Sequence, residues 1–357
     1  MGKAALDVAV PGAQTRYPVE FTATAGEYFR IWIVNLALTI VTIGIYSAWA
    51  KVRKKRYFYA HTSIAGESFE YRGNPIAILK GRLVAVALLA VYSLAGQVSP
   101  IVQGVVALVF AIILPWLYVR SLAFNAYNSA YRNIRLSLGG TYGQALGLMS
   151  WCAFVTVITV GLGYPYARAE ITRFTAENHR YGTAPFALPS VIRAFYGIFL
   201  RLIGLTIVFG GALVALGAGA MAVIPIGAPR VLLVMMLPIG MFALYLMWFA
   251  YPRARVGNLI WNNLAIGGGT SGAPRVRFEN RLRARDLAWL YFVNVLALVL
   301  TLGLATPWAV VRTMRYRAEK MALQATGGLD GFVAAQASEV AAAPEEVGEM
   351  FGFDFSI

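Results

Sequence analysis

Three segments of this chain align without a gap, and each joins an apolar stretch to a polar one. Residues 42–57 read TIGIYSAWAKVRKKRY, residues 159–174 read TVGLGYPYARAEITRF and residues 301–316 read TLGLATPWAVVRTMRY. Gly44, Gly161 and Gly303 coincide, as do Trp49, Tyr166 and Trp308. Arg56, Arg173 and Arg315 also coincide, each followed by an aromatic residue. A glycine closing an apolar helix loosens or ends it. The chain therefore reads as a repeat protein with three interrupted helices, each interrupted where an apolar environment gives way to a polar one.

That environment is a membrane. Hydrophobic residues make up 59% of the 357 and charged residues 13%, against about 45–50% and about 25% in soluble domains. The net charge is +15, but its bases sit beside apolar stretches. Positive loops held against anionic lipid account for it, and nucleic acid is not an expected partner. Cys152 is the sole cysteine, so no disulfide or cysteine-based metal site is expected within one chain. The N-terminus lacks the apolar core of a signal peptide, and Leu6 stands where a myristoylation signal needs Ser or Thr.

Seven apolar stretches run over 29–46, 82–97, 101–119, 144–163, 198–222, 231–251 and 287–305. Read as seven crossings, they place only 16 of the 31 Lys and Arg inside, with almost none of the cytoplasmic bias that normally sets orientation. Three crossings per repeat would also turn the matched basic segments to opposite sides. Both objections vanish if 29–46, 144–163 and 287–305 enter the membrane and return. The expected fold is then mainly α-helical with internal pseudo-repeats: two transmembrane hairpins (82–119 and 198–251), three re-entrant or interfacial apolar helices, and small cytoplasmic β-hairpins. Seven transmembrane helices are the alternative, favoured by the uncharged run 287–311. The four-crossing reading leaves only Arg230 outside and puts both termini in the cytoplasm. Its divisions are an N-terminal segment 1–25, repeats 26–142 and 143–284, a partial repeat 285–324 and a tail 325–357.

At each junction a second helix is expected. Ser47 and Thr306 fit N-caps, and Pro165 and Pro307 fit first helical positions. Trp49, Arg53 and Arg56 then share a face, so this basic helix is expected to lie along the headgroup layer. Short strands are expected in 61–73, 133–140, 262–269 and 274–280 and in HRYGTAPFAL from His179. Residues 325–357 carry six acidic residues and no Lys or Arg, and read as a flexible tail with an apolar end able to dock on a protein partner.

The string GEYFRIWIVN, then TIGIYSAWAKVRKKRYFYAHT, then SFEYRGNP resembles the YjgN-like family of bacterial inner-membrane proteins, whose domain has no assigned function. The resemblance covers nearly the whole chain. It implies a multi-pass location in the inner, cytoplasmic membrane and supplies no substrate, reaction or site residues. Family members tend to carry Pro where this first copy has Ala48, so the break is expected to be softest there.

Candidate lipid-headgroup contacts are Trp49, Arg53, Lys54, Lys55, Arg56, Arg173 and Arg315; a plain topology determinant is the simpler account of the basic run Arg53–Arg56. Asn35 and Asn294 share a repeat position in apolar surroundings, filled by Cys152 in the second copy, and suit either helix–helix hydrogen bonding or a polar pathway. Arg201 is a third intramembrane polar candidate, with snorkelling as the simpler account. Gly211, Ala215 and Gly219 form a packing stripe. His61, His179, Glu67, Glu70, Glu170 and Glu177 are the only loop groups suited to acid–base work, and they form no recognised catalytic or metal motif. No catalytic residue, metal or cofactor is therefore expected. The chain reads as a non-enzymatic membrane protein that moves or senses a small molecule or lipid. The alternative is a lipid-binding scaffold or regulator that recruits proteins.

Overall fold

The computed structural model describes residues 14–223, 227–267 and 275–342. They form five successive units, each a strand, a helical hairpin and a strand. The first is β1 (Gln14–Phe21), α1 (Ala25–Val41), α2 (Ser47–Ala60) and β2 (Thr62–Ile64). The second is β3 (Glu67–Tyr71), α3 (Pro75–Val98), α4 (Pro100–Tyr127) and β4 (Ser129–Tyr131). The third is β5 (Ile134–Leu138), α5 (Tyr142–Ile158), α6 (Tyr164–Glu177) and β6 (His179–Tyr181). The fourth is β7 (Ala184–Ala187), α7 (Ile192–Val223), α8 (Ala228–Asn263) and β8 (Ala265–Ile266). The fifth is β9 (Val276–Asn280), α9 (Ala284–Leu300), α10 (Thr306–Glu319) and β10 (Met321–Thr326), and α11 (Leu329–Ala342) follows.

The small hairpins expected from the sequence do not stand apart. Every strand pairs antiparallel with its chain neighbours and β1 pairs with β10, closing a ten-stranded barrel. The closing register runs Gln14↔Thr326 to Pro18↔Ala322. A closed sheet has no unpaired edge, which explains how strands as short as two residues persist. Tight turns join the units at one end: Ala65–Gly66 and Arg132–Asn133 have positive φ at both positions, the twist a two-residue hairpin needs. The barrel interior is packed with Ile64, Tyr131, Ile134, Tyr181, Ile266, Val276 and Leu323. The Tyr131 hydroxyl donates to the Ile64 carbonyl at 2.7 Å and the Tyr181 hydroxyl to the Tyr131 carbonyl at 3.1 Å.

The helical hairpins rise from the other end, and both feet of a hairpin stand together. Thr22 N–H donates to His61 O, Arg72 to Asn128, Gly139 to Asn178 and Arg281 to Lys320, all at 2.8–3.0 Å. Each helix packs on the next, and α10 packs on α1, so the ten helices also close a ring. Three hairpins are short: α1, α5 and α9 have 17 residues each and α2, α6 and α10 have 14. Two are long, and α3, α4, α7 and α8 are long and apolar enough to cross a membrane. Ser99 ends α3 and caps α4, its hydroxyl accepting from Val102 N–H at 3.1 Å, with Pro100 opening the helix.

Two expectations are corrected. The basic helix α2 does not lie flat: it runs back beside α1, with Tyr57 stacked on Tyr28 at 5.7 Å and its hydroxyl 3.2 Å from Thr24 O. The cause is that its end must reach β2, which pairs with β1 at the foot of α1. Second, the segment read as a flexible tail contains α11. Leu329, Phe332, Val333 and Gln336 share a helical face that seats on the barrel interior, where Phe332 stacks on Tyr181. Gln336 Oε1 accepts from Thr183 N–H, Thr183 Oγ1 and Ala184 N–H at 2.9–3.1 Å, and Asp330 pairs with Arg132. The apolar end of the tail lies outside the described residues.

Candidate functional site

The three matched junctions adopt one conformation. Ile43, Val160 and Leu302 have φ of 49–50°, and Gly44, Gly161 and Gly303 have φ of 88–90°. The glycine N–H donates back to Thr39, Thr156 or Leu298 at 2.7–2.8 Å, and the preceding N–H to Ile40, Val157 or Val299. This is a Schellman motif with a bulky residue in its left-handed position. Thr42, Thr159 and Thr301 complete it. Each hydroxyl donates to the carbonyl four residues back (Leu38, Val155, Ala297) and accepts from the N–H of Tyr46, Gly163 or Ala305, at 2.6–2.9 Å. Ser47 and Thr306 are not side-chain N-caps: they open their helices and donate backward to the carbonyls of Gly44 and Gly303. The tips thus satisfy part of their own polar backbone while presenting Ile43, Val160 and Leu302 at 94%, 92% and 94% exposure. Irregular backbone at membrane depth needs protein or water to cover its polar groups, and these internal bonds reduce how much such cover the turns require.

In the third short hairpin a polar residue on the first helix bonds across to the second. Asn294 is buried; its Nδ2 donates to Thr313 Oγ1 at 3.0 Å and its Oδ1 accepts from Arg312 at 3.5 Å. Cys152, at the same repeat position in the second copy, is buried. Asn35, at the same repeat position, is buried, and its Oδ1 has no hydrogen-bond partner among the described residues. Arg201 is exposed on α7, and no described contact joins it to these residues.

Several candidate headgroup contacts bond within the protein. Arg56 donates to Gly73 O at 3.4 Å and Arg315 to Ala23 O at 3.0 Å. Both acceptors directly precede an N-cap residue of the next unit, Asn74 and Thr24, so these arginines brace neighbouring hairpins. Arg173 pairs with Glu170 and Glu177 at 3.4 and 3.2 Å. Lys55 reaches Asn125 at 2.5 Å and lies over the Tyr71 ring. Trp49 stacks on Tyr46. Arg53 and Lys54 are exposed. His61 and His179 each hold the carbonyl four residues back through Nδ1. In the barrel wall, Arg16 Nε at 2.8 Å and Arg281 bind Glu279 and hold its carboxyl below the usual carboxylate range. Burial pushes the Tyr131 and Tyr181 hydroxyls upward.

Two neighbouring hollows flank α9. One, of about 570 Å³, lies between α9 and α10 and is lined by Arg285, Asp286, Trp289, Arg312, Arg315, Tyr316 and Glu319. The other, of about 500 Å³, is an apolar groove between α8 and α9. Arg285 and Trp289 line both. The sequence reading passed over Arg285 and Arg312, although Arg312 follows Trp308 at the i, i+4 spacing and lies 5.0 Å over its ring. Among the described residues no cluster of metal-ligating side chains occurs.

Comparison with known proteins places these features in context. The model of a family described as bacterial protein of unknown function (DUF898) matches residues 16–350. A protein of Salmonella typhimurium named inner membrane protein YjgN is 23% identical over 358 residues, spanning 87% of this chain and 88% of the relative. Proteins of the same name from Escherichia coli K12 and O157:H7 are 27% identical over 184 residues (50% of this chain, 43% of the relative) and 28% over 144 residues (40% and 35%). No solved structure matches.

Proposed function

Because the chain belongs to DUF898, a family of bacterial proteins of unknown function, with relatives named as inner membrane proteins, we propose that it is a non-enzymatic, multi-pass inner-membrane protein that binds and moves membrane lipid. In this reading α3–α4 and α7–α8 cross the bilayer, the three short hairpins enter and return, and the barrel with both termini lies in the cytoplasm. Charge supports the orientation: among the described Lys and Arg, Arg230 alone falls near a far tip. Strand pairing supports the return, since β1 and β2 are bonded neighbours at the two ends of the α1–α2 hairpin.

The observation that carries the reading is the trio of exposed apolar tips on short hairpins. Helices of 17 residues reach about 25 Å, short of a hydrocarbon core of about 30 Å. An apolar segment too short for its bilayer thins it. Three such hairpins in one ring lower the barrier a headgroup meets between leaflets. Broken helices in corresponding positions are also a recurring feature of translocation sites.

The test is reconstitution of the full chain in liposomes carrying fluorescent phosphatidylglycerol, with dithionite quenching of the outer leaflet. Accelerated loss of the protected fraction is expected. A rate equal to that of protein-free liposomes refutes lipid movement. Binding to anionic vesicles without such movement assigns the scaffold role instead, which the one-sided charge also suits.

A further inference from the structure

The geometry points to a specific binding site for one anionic phospholipid at α9, its phosphate in the α9–α10 cleft and an acyl chain in the α8–α9 groove. This deepens the lipid reading above and rests on it.

The cleft has the chemistry of a phosphodiester site. Arg285, Arg312 and Arg315 face it with two carboxylates, Asp286 and Glu319, so the lining is net positive. The guanidinium groups keep donors to spare. Among the described residues, Arg315 donates to Ala23 O, Arg312 makes one long bond to Asn294 and lies over the Trp308 ring, and Arg285 lies 3.8 Å from Asp286. Each guanidinium has five N–H donors in a fork that fits phosphate oxygens. Tyr316 and Trp289 add the aromatic lining typical of headgroup depth.

The second hollow makes the ligand a lipid rather than a free anion. Ala243, Leu246, Met247, Ala288 and Phe292 line a groove running along α8 and α9 away from the barrel. It shares Arg285 and Trp289 with the cleft. An arginine-bearing cleft beside an apolar groove matches an amphiphile, headgroup toward the barrel. Neither hollow alone selects one.

The test places a photoreactive benzoylphenylalanine at Trp289 of the full chain, in nanodiscs of equal phosphatidylglycerol and phosphatidylcholine. Trp151, exposed on α5, is the control position. At 289 the crosslinked lipid is expected to be enriched about tenfold in phosphatidylglycerol; at 151 it follows the mixture. Arg285→Gln with Arg312→Gln returns position 289 to the mixture ratio, while Arg285→Lys with Arg312→Lys keeps most of the enrichment, which separates lost charge from lost folding. Ala243→Trp, at an exposed groove position, lowers crosslinking of both lipids alike. Absence of enrichment at 289, or its persistence in the double Gln variant, overturns the site. Loss of crosslinking on adding inorganic phosphate overturns the lipid assignment. The readout is independent of lipid movement: enrichment without flux preserves the site and removes the transport reading, and flux without enrichment does the reverse.

Discussion

Replacing the junction glycines with alanine isolates one term in the energetics of the tips. A Cβ added at Gly44, Gly161 or Gly303 meets nothing within 4 Å. Packing therefore contributes nothing to the change, and the cost is conformational. An L-residue in the left-handed region is disfavoured by about 1–2 kcal/mol, and the neighbours Ile43, Val160 and Leu302 already occupy that region. Each single variant should lose about 1–2 kcal/mol. The junctions lie in different hairpins, so the triple variant should lose about 3–6 kcal/mol, a large part of a typical stability of 5–15 kcal/mol. Gly81→Ala and Gly147→Ala are the controls. Both lie inside helices with nothing within 4 Å of the added atom, and both should gain about 0.5–1 kcal/mol. The assay is equilibrium unfolding by steric trapping in bicelles. Losses below about 0.3 kcal/mol at all three junctions, or equal losses at the controls, would refute the reasoning.

The two matched asparagines should respond oppositely to leucine. Asn294→Leu should lose about 1 kcal/mol with its bond to Thr313, whereas Asn35→Leu should be neutral or stabilising because it removes a buried acceptor without a described partner; the same unfolding assay reads both. Glu279 has a folded pKa below its unfolded value, so its contribution is full above the unfolded pKa and is lost as pH falls through the folded one. Glu279→Gln should flatten the acid limb of a stability–pH curve, and an unchanged limb would dismiss the Arg16 contact as a contributor. Phe332→Ala, at a buried position stacked on Tyr181, should cost about 3 kcal/mol and expose α11 to limited proteolysis near residue 329; an unchanged digestion pattern would mean that Phe332 does not hold α11 on the barrel.

Local features of the sequence were legible and long-range ones were not. The three glycines mark real turns, because the left-handed residue pair and its backward hydrogen bonds lie within six residues. The strands around Ser68, Ile134, Arg180 and Phe278 were visible as short alternating runs between turn residues. β1 and β10 were not, since their partner in each case is the opposite end of the chain: Gln14 pairs with Thr326. β4 is three residues long and continues straight from α4, leaving no pattern to read. The threonines at the tips were aligned in all three copies but looked like ordinary membrane-helix residues. Their role appears only when the chain doubles back and the same hydroxyl serves both helices. The acidic, alanine-rich composition of 325–357 suggested a mobile tail and concealed the stripe Leu329, Phe332, Val333, Gln336, whose value depends on an open barrel to fill. The spacing of the basic run shows which of its residues share a helical face but not what that face meets. In the fold Arg56 and Arg315 reach the next unit, and the cleft at α9 gathers arginines from two helices.

Thiol accessibility of the strand turns and a long-hairpin tip tests the proposed entry and return of the short hairpins most directly. With Cys152 replaced by Ala, single cysteines at Ala65, Asn133, Thr183 and Ser99 would be exposed in intact cells to a membrane-impermeant maleimide. Labelling of Ser99→Cys alone, with the three barrel-turn cysteines reacting only after permeabilisation, is the predicted result. Labelling of any barrel-turn cysteine in intact cells would mean that a short hairpin emerges on the far side, and would contradict both the proposed topology and the single closed barrel.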